Sequence, residues 1–289
     1  MTAVHVDHHG QEPEDEVVVL TPAEEHVVAA LPPSLRLSRS GEVAVLTIAR
    51  PAKRNALDDA TVLGIGRFFD DLPPWVRAVV LDADGNHFCA GLDLAELGAR
   101  DAFASLKHSR MWHRAFNALE QGTVPVVAAL QGAVIGGGLE LAAAAHLRVA
   151  DPSAFFALPE GQHGLFVGGG GSVRVPRLIG AHRMADMMLT GRVLDAAAAE
   201  STGLVHYLAQ YGGARDQALA LARRAATNAP MTNFAVLQAL PRIAEAGADH
   251  GLMLESLVAA VASSSEEAQH RMGEFLAGRA AKVRSNGTT

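Results

Sequence analysis

The chain has 289 residues, of which 49% are hydrophobic and 19% charged, and these describe a soluble globular protein of one large domain or two small ones. A formal net charge of −7 makes it a poor general binder of nucleic acid, which needs a basic face. No apolar stretch approaches the roughly 20 residues that span a bilayer, so no membrane partner is expected.

Residues 1 to about 33 read as a solvated tail. His5, His8 and His9 precede an acidic run from Glu12 to Glu16, and Pro22, Pro32 and Pro33 interrupt any long element. The three histidines have no partner set at metal-ligand spacing, so no metal is expected. Met1 to Gly10 carry no apolar run, which argues against a secretory signal and makes the cytoplasm the expected location. Residues 35–39 and 43–48, joined by Gly41-Glu42, predict a β-hairpin. The run Arg50-Pro51-Ala52-Lys53-Arg54 is the densest basic cluster in the front half, either a wall for an anionic group or a solvated loop.

Asp58 is placed to N-cap a helix through about Phe69, which Pro73-Pro74 ends. Residues 76–81 and 124–130 predict buried strands, 101–119 and 139–147 predict helices, and 154–158 predicts a further strand. Residues 87–93 are expected to lead into a helix. Cys89, the single cysteine, allows no intrachain disulfide and reads as inert packing. This alternation of strand and helix defines an α/β core over residues 34–200. Beyond it, over 201–289, helical patterns dominate. Ser264 and Glu267 have capping-box spacing for the last helix, 266–276.

Two carboxylates stand beside glycine-rich turns: Glu140 closes Gly136-Gly137-Gly138-Leu139-Glu140, and Glu160 follows Pro159. Paired carboxylates suit general acid–base chemistry. The first amides of the helix after Gly136 lack internal partners and lie at the positive end of its dipole, where a developing oxyanion is stabilised. Ala90-Gly91 forms a second small-residue junction that could expose another amide. Gly168 to Gly171 lacks the Lys-Ser/Thr of a phosphate loop, and no G-x-G-x-x-G is present, so no nucleotide cofactor is expected. His163 reads as a loop histidine outside the core assignment.

These residues resemble the crotonase, or enoyl-CoA hydratase/isomerase, superfamily. Arg50-Pro51 with Asn55-Ala56-Leu57, Phe88 to Leu94, Gly132 with Gly136 to Ala142, Phe156 to Glu160, and Pro176 to Gly180 are similar to five of its ordered motifs. The resemblance implies a spiral of ββα turns with a helical C-terminal region that builds trimers, often paired into hexamers. It implies an acyl-CoA thioester substrate and no metal or redox cofactor. The amides of Ala90 and Gly137 would bind the thioester oxygen, with Glu140 and Glu160 flanking the α and β carbons. Lys53, Arg54, Ala56, Leu57, Asp93, Leu94, Gly136 and Gly168 would contribute substrate contacts.

Both glutamates are present, which favours a hydratase over a double-bond isomerase or a non-catalytic acyl-CoA-binding protein. Met111, Trp112 and Phe103 are candidates for the acyl wall, with helix-face packing as the alternative. Two departures from the family pattern are His146, where an acidic residue is usual, and Val167, where a proline is common.

Overall fold

The computed structural model describes residues 31–279, except Leu94, Glu96, Leu97, Ala99 and Arg100. Leu94, the histidines of the tail and residues 280–289 therefore lie outside the described residues. One compact unit ends at Thr227 and a second begins at Asn228.

The first unit is built on a six-stranded sheet. Strands β1 (Leu35–Ser40) and β2 (Val43–Ile48) form the expected hairpin, pairing Ser40 with Val43 across Gly41-Glu42. Strands β3 (Ala78–Ala83), β4 (Val126–Leu130), β6 (Leu147–Ala150) and β9 (Tyr207–Leu208) then add in parallel, in the order β1-β2-β3-β4-β6-β9. Every residue of β2, β3 and β4 is buried, because both faces of this sheet are covered. Val43, Val45, Val80 and Val127 face helix α7 (Ala214–Ala226). The alternate residues Ala44, Leu46, Leu81 and Leu130 share a core with helices α1 (Asp59–Asp70) and α2 (Ala102–Glu120).

A second, shorter sheet has the order β5-β7-β8, from Ala133–Ile135, Phe155–Ala157 and Leu194–Asp195. An isolated bridge between Cys89 and Val134 adds another rung to this stack. Each turn of the chain thus runs from a long strand of the first sheet to a short rung of the second. That is the expected spiral of ββα turns. After each rung the chain enters a turn or helix: Gly91-Leu92 after Cys89, helix α3 (Gly137–Ala144) after β5, and the 3-10 turn Pro159–His163 after β7.

Asp58 and Asp101 cap α1 and α2 by accepting from the amides of Thr61 and Ala104. Several expectations need correction. Helix α3 ends at Ala144 rather than residue 147, and Leu147 opens strand β6. The buried guanidinium of Arg148 accounts for this end, since its Nη1 takes the carbonyls of Ala142 and Ala145. Residues 89–92 run as an extended bridged segment; what 87–93 lead into lies largely outside the described residues, and α2 starts at Ala102. Helices α4 (Gly171–Ile179), α5 (Ala181–Thr190) and α6 (Ala196–Thr202) complete the first unit.

The second unit holds α8 (Pro230–Phe234), a π-turn at Ala235–Ala239, α9 (Leu240–Glu245), α10 (Ala248–Ser264) and α11 (Glu266–Leu276). The π-turn precedes Pro241, whose missing N–H and bulky ring disrupt regular helical bonding. Ser264 does not cap α11: it is the last residue of α10, and Ser265 caps instead by accepting from the Ala268 amide. Among the described residues no helix is long and apolar enough to cross a membrane.

Candidate active site

The turn between β2 and α1 sets the first wall. Arg54 and Asn55 adopt φ of 49° and 56°. This conformation is uncommon outside glycine, and asparagine tolerates it better than most. The fully buried Asn55 side chain fixes the turn. Its amide donates to the carbonyls of Asp84 (2.8 Å) and His87 (2.7 Å), while its oxygen accepts from the Arg50 amide (2.8 Å).

Residues 89–93 are thereby held against the turn. The Ala90 amide donates to the Arg54 carbonyl at 3.0 Å. Ala90 lines the cavity, but its N–H is consumed, which corrects the expectation that it binds a substrate oxygen. Leu57 donates to the Gly91 carbonyl and accepts from the Asp93 amide. That parallel bridging leaves the amide of the intervening residue, Leu92, pointing the other way. It faces Gly137: a Cβ built on Gly137 would stand 3.5 Å from the Leu92 nitrogen.

The Gly137 amide starts α3, so it has no partner within the helix. Leu92 and Gly137 therefore present the two converging donors. Gly136 makes the turn possible, with φ of 53°. Any side chain there would also collide with Glu160, since a Cβ would lie 2.8 Å from Glu160 Oε1.

Glu140 falls in the first turn of α3 and is buried. Its Oε1 accepts from the amides of Gly169 and Gly171, each at 2.8 Å. Burial pushes its carboxyl above the usual range, and the amides of Gly171, Gly169 and Gly168 pull it back. Glu160 sits in the Pro159–His163 turn with its Oε2 buried and unpartnered. Burial, and secondarily the charge of Glu140, push it up to about 7. The two carboxyls are thus unequal: Glu140 has amides that favour the ionised form, and Glu160 lacks them at Oε2.

The loop presenting those amides is braced from behind. Arg174, itself buried, donates from Nη1 to the Gly169 carbonyl (3.1 Å) and pairs through Nη2 with Glu120 (2.7 Å). It also donates to Asn117 Oδ1 (2.5 Å). Gly170 has φ of 101°, and a Cβ there would strike the guanidinium. Ser109 ties the same loop to α2 by donating to the Gly168 carbonyl at 2.7 Å.

All of this surrounds one cavity of about 670 Å³, with Ala90, Leu92, Gly136, Gly137, Glu140, Glu160 and Gly168 in its lining. Of the candidate acyl-wall residues, Trp112 lines the cavity and rests against Phe116 at 5.5 Å. Phe103 is 66% exposed and Met111 packs on the core, so neither contributes. Lys53, Arg54, Ala56, Leu57 and Asp93 are not in the lining. Asp93 is held by Arg50 (2.8 Å) and Lys53 (3.4 Å), an ion cluster beside the Leu92 wall. His163 lines the rim. Cys89 is buried with its thiol pushed up to about 12, as expected of inert packing. His146 is structural: its Nδ1 accepts from the Val126 amide and its Nε2 meets the Glu120 carbonyl.

Sequence patterns did not expose Leu92 or Arg174. Leu92 acts through a main-chain group whose direction depends on pairing with Leu57. Arg174 lies outside the glycine run, and only the fold turns it back on Gly169.

Glu160 has a consequence for stability. Its folded-state carboxyl titrates above its unfolded one, so its contribution is full in acid and lost as pH rises through about 7. Glu160→Gln should therefore melt higher than the parent at pH 8 and nearly level with it at pH 5. Equal melting temperatures at both pH values would show that Glu160 carries no burial penalty.

The spiral ββα fold gathers the Leu92 and Gly137 main chain and two glutamates in unequal surroundings around one cavity, the arrangement of an enzyme site. The chain belongs to the enoyl-CoA hydratase/isomerase family, whose sequence model matches residues 38–284. It is 32% identical over 246 residues to the 2,3-dehydroadipyl-CoA hydratase of Escherichia coli, covering 84% of this chain and 95% of that one. It is 31% identical over 245 residues to the short-chain-enoyl-CoA hydratase of Clostridium acetobutylicum, covering 83% and 93%. A crystal structure from Rhodopseudomonas palustris, provisionally named an enoyl-CoA hydratase, superposes with a TM-score of 0.84 at 56% identity, covering 86% of this chain and 97% of that one.

Proposed function

We propose that this enzyme adds water across the double bond of a 2-enoyl-CoA thioester to give a 3-hydroxyacyl-CoA. The observation that carries this reading is the unequal glutamate pair facing the Leu92 and Gly137 amides in one cavity. The two amides polarise the thioester carbonyl and make Cβ electron-poor. Water held by Glu140 loses a proton to that carboxylate as its oxygen bonds to Cβ. The electron pair of the double bond moves to Cα and the carbonyl, forming an enolate stabilised by the two N–H donors. Protonated Glu160 then delivers hydrogen to Cα. Acid, base and carbonyl-polarising donors all come from the protein, so the proposed reaction calls on no resident metal or redox group.

The ion cluster of Arg50, Lys53 and Asp93, with Arg54 beside it, supports placing the coenzyme A phosphates on the Leu92 side. The relatives' names specify different acyl groups, so they do not fix the tail. In the second unit, α10 exposes Leu252, Leu257 and Val261, which supports assembly into trimers or hexamers; sedimentation tests it.

The reading is tested with crotonyl-CoA by following loss of the enoyl-thioester absorbance. No loss with any chain length would overturn it. Hydration needs Glu160 protonated, so kcat/KM should fall on the alkaline side with an apparent pKa near 7. A rate that stays flat to pH 9 would remove Glu160 from the acid role.

A further inference from the structure

The wall of the cavity along α2 is more polar than a hydrocarbon tail requires. Ser105, His108, Ser109 and Trp112 recur at helical spacing and line it together. Two of these polar groups already have partners: Ser109 donates to the Gly168 carbonyl, and His108 Nε2 lies 2.7 Å from Asp59 Oδ1. Asp59 opens α1, so a rigid element orients the imidazole, which is only 18% exposed. Among the described residues, His108 Nδ1 and Ser105 Oγ have no hydrogen-bond partner.

Trp112 marks the reacting end of this wall, since a Cβ on Gly137 would lie 2.7 Å from its ring. His108 stands one turn further along α2, about 6 Å at 1.5 Å per residue. The Arg50, Lys53 and Asp93 cluster lies outside the lining of this cavity. An alkyl tail along α2 would cover the part-buried imidazole and the exposed Ser105 hydroxyl and take both from water without satisfying them, which is unfavourable.

We propose that Asp59, His108 and Ser105 form a polar subsite for the distal end of the acyl group, selecting a 2-enoyl-CoA whose tail bears a neutral hydroxyl over one with a plain alkyl tail. A hydroxyl can donate to His108 Nδ1 and accept from Ser105. A carboxylate tail fits less well: Asp59, Glu140 and Glu160 are close by, and no lysine or arginine is among the described lining residues. His108 touches the tail, and Asp59 is a positioning residue acting through it.

This inference rests on the hydratase reading but has its own readout. The probes are hex-2-enoyl-CoA, 6-hydroxyhex-2-enoyl-CoA and the matching 6-carboxylate, compared by kcat/KM. The parent enzyme should favour the hydroxy substrate over the alkyl one by about tenfold, as one added hydrogen bond implies. His108→Leu should bring that ratio to about one, and Asp59→Asn should lower it. Calorimetry with hexanoyl-CoA and 6-hydroxyhexanoyl-CoA measures the same preference without turnover, and so still tests the subsite if hydration is absent. Equal affinity and rate for alkyl and hydroxy tails, or a preference that survives His108→Leu, would overturn the proposal. A preference for the carboxylate would overturn the neutral-tail assignment.

Discussion

Glu140→Gln should lower kcat/KM for crotonyl-CoA by about 10²–10⁴-fold, the range associated with a lost general base. Glutamine keeps the shape of the side chain, and its oxygen can still accept from the amides of Gly169 and Gly171. What it loses is the charge that draws the proton from water. The loss should therefore appear in kcat more than in KM. The variant should not melt lower than the parent, because burial penalises the ionised carboxylate it replaces. A variant that keeps a tenth or more of parental kcat/KM would exclude Glu140 as the base. One that loses activity only together with its fold would leave a scaffold role instead.

Arg174→Met should have the second large effect, on stability and on rate together. Removing the guanidinium strips partners from the Gly169 carbonyl, Asn117 and Glu120 at once. Breaking a buried ion pair from one side costs about 3–5 kcal/mol, which urea unfolding would register. Glu120 is about one-third exposed and can rehydrate, so the lower end of that range is expected.

The rate effect follows from the loop. Gly169 presents its carbonyl to Arg174 and its amide to Glu140, so a relaxed loop loosens the base. The charges facing Glu140 are Glu160 from the 3-10 turn and Arg174 from α4, with His113 of α2 near the same loop. Losing Arg174 removes the cationic member, so Glu140 should hold its proton to higher pH and the acid limb of kcat/KM should move upward. Arg174→Lys should restore part of the shift. If kcat per folded molecule and the acid limb are both unchanged in Arg174→Met, the brace is purely architectural.

Much of this was legible in the chain, and the boundary of legibility has physical causes. Local signals held: Asp58 caps where a short acceptor beside an amphipathic run should, and Gly41-Glu42 turns the hairpin. The glycine run and both glutamates were visible because backbone approach and acid–base chemistry restrict residue type. The end of α3 was not visible, since Ala145 and Leu147 continue its helical composition. The side chain of Arg148 and pairing with β4 decide that end, and both are tertiary. Ser264 and Ser265 offer the same cap chemistry one residue apart, and only backbone geometry separates them. The displaced assignment of the amide from Ala90 to Leu92 is of the same kind. Main-chain groups carry no residue signature, and the partners that engage or spare them, Arg54 and Leu57, come from another turn of the chain.

The stacked rungs have one more consequence. Cys89, Val134 and Phe156 lie side by side, and each is followed within four residues by a different working part: the Leu92 amide, the Gly137 amide, and the Glu160 carboxyl. The parts are therefore mounted on separate shelves of one rack. In the proposed reaction, changing the residue on one shelf would alter the proton chemistry while the carbonyl grip assigned to the other two stays in register. An inserted residue between a rung and its working part would disable that part alone, so the architecture lets chemistry be exchanged one component at a time.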